Sequence, residues 1–131
     1  MEAIELAGRK FWESRVNHIA RNPLEPAAGR GLSVFARADL GVEGRCFFQT
    51  SGTEGAPKWV GLSKSAFLES ARHVNAHFQL GGDDVWAIAL PLHHVGGFAI
   101  TARVCVSGAR VAVFRWRWDA LEFAAFCKRE G

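Results

Sequence analysis

What this sequence lacks narrows its function before any motif is read. It has three cysteines, Cys46, Cys105 and Cys127. They are odd in number, widely spaced and set in apolar runs, so they read as reduced core thiols rather than a disulfide framework. No apolar run approaches the roughly 20 residues of a bilayer-spanning helix. The first ten residues mix two glutamates with Arg9 and Lys10 and hold no apolar stretch of the kind a secretory leader carries. A strong charge imbalance is also missing: 16 Lys and Arg stand against 13 Asp and Glu, a formal charge of +3. That mild excess suits an anionic ligand and does not call for nucleic acid. No internal repeat occurs. What remains is a globular chain of 131 residues, 49% hydrophobic and 22% charged, with room for one domain. The expectation is a cytoplasmic protein with no membrane or nucleic-acid partner.

Hydrophobic spacing predicts the elements. Ile4, Phe11, Trp12, Val16 and Ile19 mark a helix over residues 1–22, ended by Pro23 and Pro26. The glycine-rich stretch 24–44 reads as a connection, with a short strand over 33–36. Cys46, Phe47 and Phe48 form a strand, and Trp59, Val60, Gly61 and Leu62 another. Ser63 is an N-cap, with Phe67, Ala71, Val74 and Phe78 on one helical face that Gly81 and Gly82 would stop. Residues 85–90 resemble a strand buried on both faces, and 98–106 a buried helix capped by Gly108. Residues 110–114 supply the next strand. Asp119 with Glu122 opens a last helix anchored by Leu121, Phe123 and Phe126, with Lys128 and Arg129 in its final turn. Strand, helix, strand, helix implies an α/β fold with a mostly parallel sheet and packed helices. The alternation calls for another strand just where Gly131 is reached, which predicts an N-terminal fragment of a larger domain.

Between the strand of Cys46, Phe47 and Phe48 and that of Trp59 to Leu62 lies the run Thr50-Ser51-Gly52-Thr53-Glu54-Gly55-Ala56-Pro57-Lys58. Its glycines admit close backbone approach, its hydroxyls and N–H groups donate hydrogen bonds, and Lys58 adds a point charge for phosphate oxygens. It suits a polyphosphate. It is not a Walker A loop, because Pro57 precedes Lys58, Trp59 follows it, and a strand rather than a helix comes next.

The segment from Phe47 to Lys58 resembles, position by position, the signature of the AMP-binding, adenylate-forming superfamily of acyl- and aryl-CoA synthetases, luciferases and peptide-synthetase adenylation domains. Pro91-Leu92-His93-His94-Val95-Gly96-Gly97 resembles the family's segment bordering the acyl pocket. Lys58-Trp59-Val60-Gly61-Leu62-Ser63 and residues 90–100 look most like the o-succinylbenzoate-CoA ligases of menaquinone biosynthesis. The resemblance covers residues 45–131, a partial AMP-binding domain preceded by a helical and connecting segment, 1–44. It implies that Thr50, Ser51, Gly52, Thr53, Glu54, Gly55 and Lys58 line the phosphates of Mg-ATP, and that His94 and Gly97 border a carboxylic acid substrate. An acyl-adenylate would form first, and coenzyme A would then attack its acyl carbon.

Several departures carry weight. Glu54 stands where Thr or Ser is commoner and must point away from a triphosphate or meet its magnesium, and Trp59 replaces a frequent Gly. The Tyr-Gly-x-Thr-Glu segment, the ribose-binding Asp, the hinge and the adenylation Lys are not found, so no catalytic residue is assigned and the chain alone is expected to be inactive. The alternative is a truncated, noncatalytic module binding nucleotide or a partner, self-associating through core surface around Leu90, Ile100 and Val113. Other features read blandly. His73 and His77 at i and i+4 form a solvated helix flank, and adjacent His93 and His94 point apart and hold no metal. The Arg115-Trp116-Arg117-Trp118 run is a strand-end turn with stacked side chains, not a single-strand nucleic-acid platform.

Overall fold

The computed structural model describes residues 1–24, 42–50 and 58–131. Two short helices, α1 (Ala3–Leu6) and α2 (Arg9–Glu13), precede strand β1 (His18–Ala20). The single helix expected over 1–22 is therefore broken. Gly8 takes an extended N-cap conformation between the two turns, and Ser14 is already extended after the second. Ile19 and Ala20 then enter a sheet as strand residues.

That sheet has the order β1-β2-β3, with β2 Arg45–Gln49 and β3 Trp59–Ser63. β1 pairs parallel to β2, and β2 pairs antiparallel to β3. Cys46, Phe47 and Phe48 are all buried, so β2 is covered on both faces. Across from Phe47 sits Gly61, where an added Cβ would stand 2.7 Å from the Phe47 ring. The missing side chain is what lets the ring lie over the neighbouring strand. The expected strand at 33–36 lies outside the described residues.

Helix α3 (Lys64–Phe78) follows β3 directly, with the Ser63 hydroxyl accepting from the Ala66 N–H. It ends at Gln79, which takes the left-handed conformation itself at φ 56°, two residues before the expected glycine stop. Its buried face is Lys64, Phe67, Ala71 and Asn75, whereas Phe78 is exposed and anchors nothing. Asn75 Nδ2 donates to the Arg103 carbonyl at 2.9 Å and ties α3 to helix α4 (Val95–Ser107).

A second sheet pairs β4 (Val85–Ile88) parallel to β5 (Arg110–Val113), and α5 (Ala120–Glu130) packs beside it. The fold is α/β, with two of the three strand pairings among the described residues parallel. β4 is shorter than expected, and only Ile88 in it is fully buried, so it is not the strand buried along its whole length that was expected; among the described residues its sheet has two strands. Gly108 caps α4 at φ 74° as expected. Asp119 caps α5 by accepting from Leu121 and Glu122 N–H groups, but Leu121 is 83% exposed and is no anchor. Phe126 and Phe123 hold the helix instead.

The main core centres on Phe98 of α4, which is wholly buried and meets the rings of Phe11, Trp12, Phe48 and Phe67 at 5.1 to 5.9 Å. Residues from 1–24 and from 45–131 thus share one core.

Candidate functional site

The hairpin β2–β3 clamps both ends of the glycine and hydroxyl run. Its last rung is Gln49 against Trp59. One step further the Thr50 N–H donates to the Lys58 carbonyl at 2.8 Å, and the Lys58 N–H donates to Thr50 Oγ1 at 3.2 Å. The Thr50 hydroxyl therefore closes the neck between the two strands. Thr50 and Lys58 are exposed, and among the described residues the Lys58 ammonium meets no carboxylate. Ser51, Gly52, Thr53, Glu54 and Gly55 lie outside the described residues. A threonine neck and an exposed lysine offer a hydroxyl and a cation to an anion at this end of the sheet.

The opposite end of the hairpin is fixed by a residue that the sequence reading missed. Gly44, at φ 62°, donates to the Arg15 carbonyl at 2.7 Å and accepts the Lys64 N–H at 2.8 Å. The Lys64 ammonium is buried and donates to the Phe11 carbonyl at 2.7 Å, the Ser14 hydroxyl at 2.9 Å and the Ser14 carbonyl at 3.2 Å, while lying 4.2 Å from the Phe11 ring centre. All its partners are neutral, and burial pulls its pKa below the usual lysine value. Its spacing from Phe67 and Ala71 put it on the apolar face of α3, which was the available signal.

His94 and Gly97 lie in the first turn of α4, which begins earlier than residue 98. His94 is the exposed N-cap; its N–H donates to the Pro91 carbonyl, and its carbonyl accepts the Phe98 N–H, both at 3.0 Å. Gly97 is buried where a Cβ would stand 2.4 Å from the Leu90 oxygen and 2.6 Å from the Pro91 oxygen. The turn folds back over the helix start, and only glycine fits beneath it. The His93 and His94 rings do not diverge as expected: their centroids are 4.3 Å apart at 45°. One turn beyond His94, Phe98 meets Phe48 at 5.1 Å, and Phe48 is two residues before Thr50. The two sequence motifs are thus joined through one aromatic contact.

His73 Nε2 lies 3.1 Å from a Glu69 carboxylate oxygen on a solvated flank. Trp116 and Trp118 do not stack as expected but meet Phe114, Phe123 and Phe126 of their own chain tilted or edge-on, and Arg115 pairs with Glu2 at 3.1 Å. Burial pushes the Cys46 thiol up to about 12 and raises that of Cys105, so both stay protonated. His18 is packed on Phe98 and Phe11, and burial, reinforced by the Lys64 charge, lowers its pKa to about 4. Among the described residues no group of three His, Cys, Asp or Glu side chains could hold a metal, and no helix is long and apolar enough to cross a membrane.

The chain therefore carries an antiparallel hairpin with a hydroxyl at its neck and an exposed lysine at its foot, within an α/β fold. The family model described as "AMP-binding enzyme" matches residues 45–131, and the chain belongs to that family. A probable 2-succinylbenzoate–CoA ligase of Mycobacterium tuberculosis is 40% identical over 60 residues, covering 46% of this chain and 15% of that protein. A medium/long-chain-fatty-acid–CoA ligase of the same species is 32% identical over 108 residues, covering 82% of this chain and 21% of the other. Among solved structures, o-succinylbenzoate coenzyme A synthetase from Bacillus subtilis, in complex with ATP and magnesium ion, superposes with a TM-score of 0.58 at 27% identity, covering 64% of this chain and 18% of that one. The chain thus spans about 15 to 21% of the length of these relatives.

Proposed function

We propose that the segment anchored at Thr50 and Lys58 binds the β- and γ-phosphates of Mg-ATP, in an enzyme that joins a carboxylic acid to coenzyme A through an acyl-adenylate. The observation that carries the reading is the closed neck: two backbone-linked contacts hold the ends of a glycine and hydroxyl run, with a lysine at its foot. Such a clamp positions the triphosphate and offsets its charge while the carboxylate attacks the α-phosphate. Ser51, Gly52, Thr53 and Gly55 would add donors, and magnesium arriving with the nucleotide would offset the triphosphate's charge. His94, exposed at the start of α4, would stand at the wall of the acid's pocket, held there by the Gly97 packing.

The similarity of 60 to 64 residues of this chain to ligases named for 2-succinylbenzoate supports that acid as substrate and menaquinone biosynthesis as the setting; the proposed compartment is the cytoplasm. The test is pyrophosphate release by a protein of the relatives' length that carries this segment. We expect turnover with o-succinylbenzoate and coenzyme A to exceed that with medium-chain fatty acids by at least about 100-fold. Equal or better turnover of fatty acids would reassign the substrate. Replacing Thr53 and Lys58 should lower turnover by more than about tenfold.

A second reading keeps the nucleotide site but makes this chain a partner-binding module. It is favoured by the exposure of Leu90, Trp116, Trp118 and Leu121. Concentration-dependent sedimentation of the 131-residue chain supports it, and a monomer at all concentrations excludes self-association.

A further inference from the structure

Among the described residues β3 pairs only with β2, and its Val60 and Leu62 are 43% and 36% exposed. The direction of the hairpin is therefore set less by packing along β3 than by its register with β2 and by its two ends. One end is the Thr50–Lys58 neck. At the other, Lys64 continues the hairpin by one rung past the Arg45–Ser63 pair, its N–H on the Gly44 carbonyl. Its side chain then leaves the sheet for α2. That helix stops at Glu13, so the Phe11 carbonyl lacks the N–H of a further turn. The Lys64 ammonium and the Ser14 hydroxyl both donate to it, at 2.7 and 3.1 Å, and the ammonium also donates to Ser14 Oγ and the Ser14 carbonyl. Three donors thus meet three acceptors, all from α2 and the residue after it. Residues 15–17 brace the same point. The Arg15 carbonyl accepts the Gly44 N–H, Asn17 Oδ1 accepts the Arg45 N–H at 3.0 Å, and Asn17 Nδ2 donates to the Val42 carbonyl. The base of the hairpin is held by residues 11–17, which precede the family match at 45–131.

We infer that Lys64 is a positioning residue for the proposed phosphate site: by fastening the base of the β2–β3 hairpin to residues 11–14, it sets where Thr50 and Lys58 stand. The strand between base and neck spans about 17 Å, so a tilt of about 4° at the base moves the neck by about 1 Å. A displacement of that size costs up to about a hundredfold where geometry governs a contact. Lys64 acts through the strands and not on the nucleotide. The inference rests on the phosphate-loop reading for what the neck holds, whereas the anchoring is measured without nucleotide.

Amide hydrogen exchange of the 131-residue chain, followed by titration with Mg-ATP, tests it in wild type and in Lys64→Met, which keeps a long side chain and removes its donors. A residue that only stabilises the fold changes exchange everywhere by one factor, whereas a positioning residue opens the hairpin selectively. Exchange at the Thr50 and Lys58 N–H groups should accelerate at least about tenfold more than at the Phe98 and Phe123 N–H groups of α4 and α5. Mg-ATP affinity should fall about tenfold. Ser14→Ala removes one of the three acceptors and keeps the lysine, and should give the same pattern at about threefold. It decides the question if Lys64→Met does not fold. Uniform acceleration, or none at the neck, in a folded variant overturns the inference. So does unchanged Mg-ATP affinity in a variant whose neck exchange has risen, when Lys58→Ala weakens binding. A wild-type chain that leaves Mg-ATP unbound overturns the phosphate reading instead, and the exchange ratio still decides whether Lys64 aligns the hairpin.

Discussion

Two hydrophobic clusters among the described residues differ in closure. In the first, Leu6, Trp12, Cys46, Phe48, Phe67 and Phe98 meet from two short helices, a strand and two long helices, and nearly every ring touches Phe98. In the second, Ala112, Phe114 and Phe126 join β5 to α5, while Trp116 and Trp118 stand 62% exposed beside them. The closed cluster lies under the hairpin that presents Thr50 and Lys58. Positioning the proposed phosphate clamp needs a rigid platform, and a core packed from six elements, Ala20 of β1 included, supplies one. The open cluster holds a two-stranded sheet and lacks equivalent cover.

Truncating the centre of each cluster tests that difference most severely. Phe98→Ala should cost about 4 kcal/mol in urea unfolding, and Phe126→Ala nearer about 3 kcal/mol, because a partly open site relaxes around a lost ring. Equal costs, or the reverse order, would break the comparison. Gly97→Ala pushes a methyl into the Leu90 and Pro91 carbonyls and should destabilise by about 2 kcal/mol, with the His93 and His94 resonances shifting most in NMR spectra.

A pH titration sharpens the contrast. His18 belongs to the closed cluster, and its folded pKa of about 4 lies below the unfolded 6.5. The unfolded chain therefore binds the extra proton between those values. The stability due to keeping His18 neutral is complete above pH 6.5 and falls away as pH drops toward 4, by on the order of 2 kcal/mol. His18→Phe should remove that part of the slope; an unchanged profile would show that His18 is not held neutral by the core. The smallest effect concerns neither cluster. Gln79→Gly relieves a non-glycine residue at φ 56° at the end of α3 and should raise stability by about 0.5 to 1 kcal/mol.

How much of this was legible in the residues depends on range. Local signals carried far: Ser63 and Asp119 cap helices, Gly108 ends one, and the strands on either side of the loop fall where their β-branched and aromatic residues put them. Nonlocal pairing did not. Residues 18–20 became a strand because β2 offered a parallel edge to pair with, and helical spacing in the flanking sequence contains no trace of that partner. Leu121 and Phe78 have the period of an apolar face but no neighbour to bury them. Lys64 was overlooked because its charge argues for the surface, whereas carbonyls from a segment 50 residues earlier satisfy its ammonium. At the site, the motif identified the ends of the loop and the α4 turn. The reason for Gly97, a steric one set by Leu90 and Pro91, required coordinates.

The most direct test of the phosphate clamp is a ³¹P NMR titration of Mg-ATP with the 131-residue chain and with its Lys58→Ala variant. The account predicts that the β- and γ-phosphate resonances shift and broaden with the wild-type chain, and that the variant reduces this response at least about tenfold in apparent affinity. Indistinguishable titrations for the two proteins would contradict it.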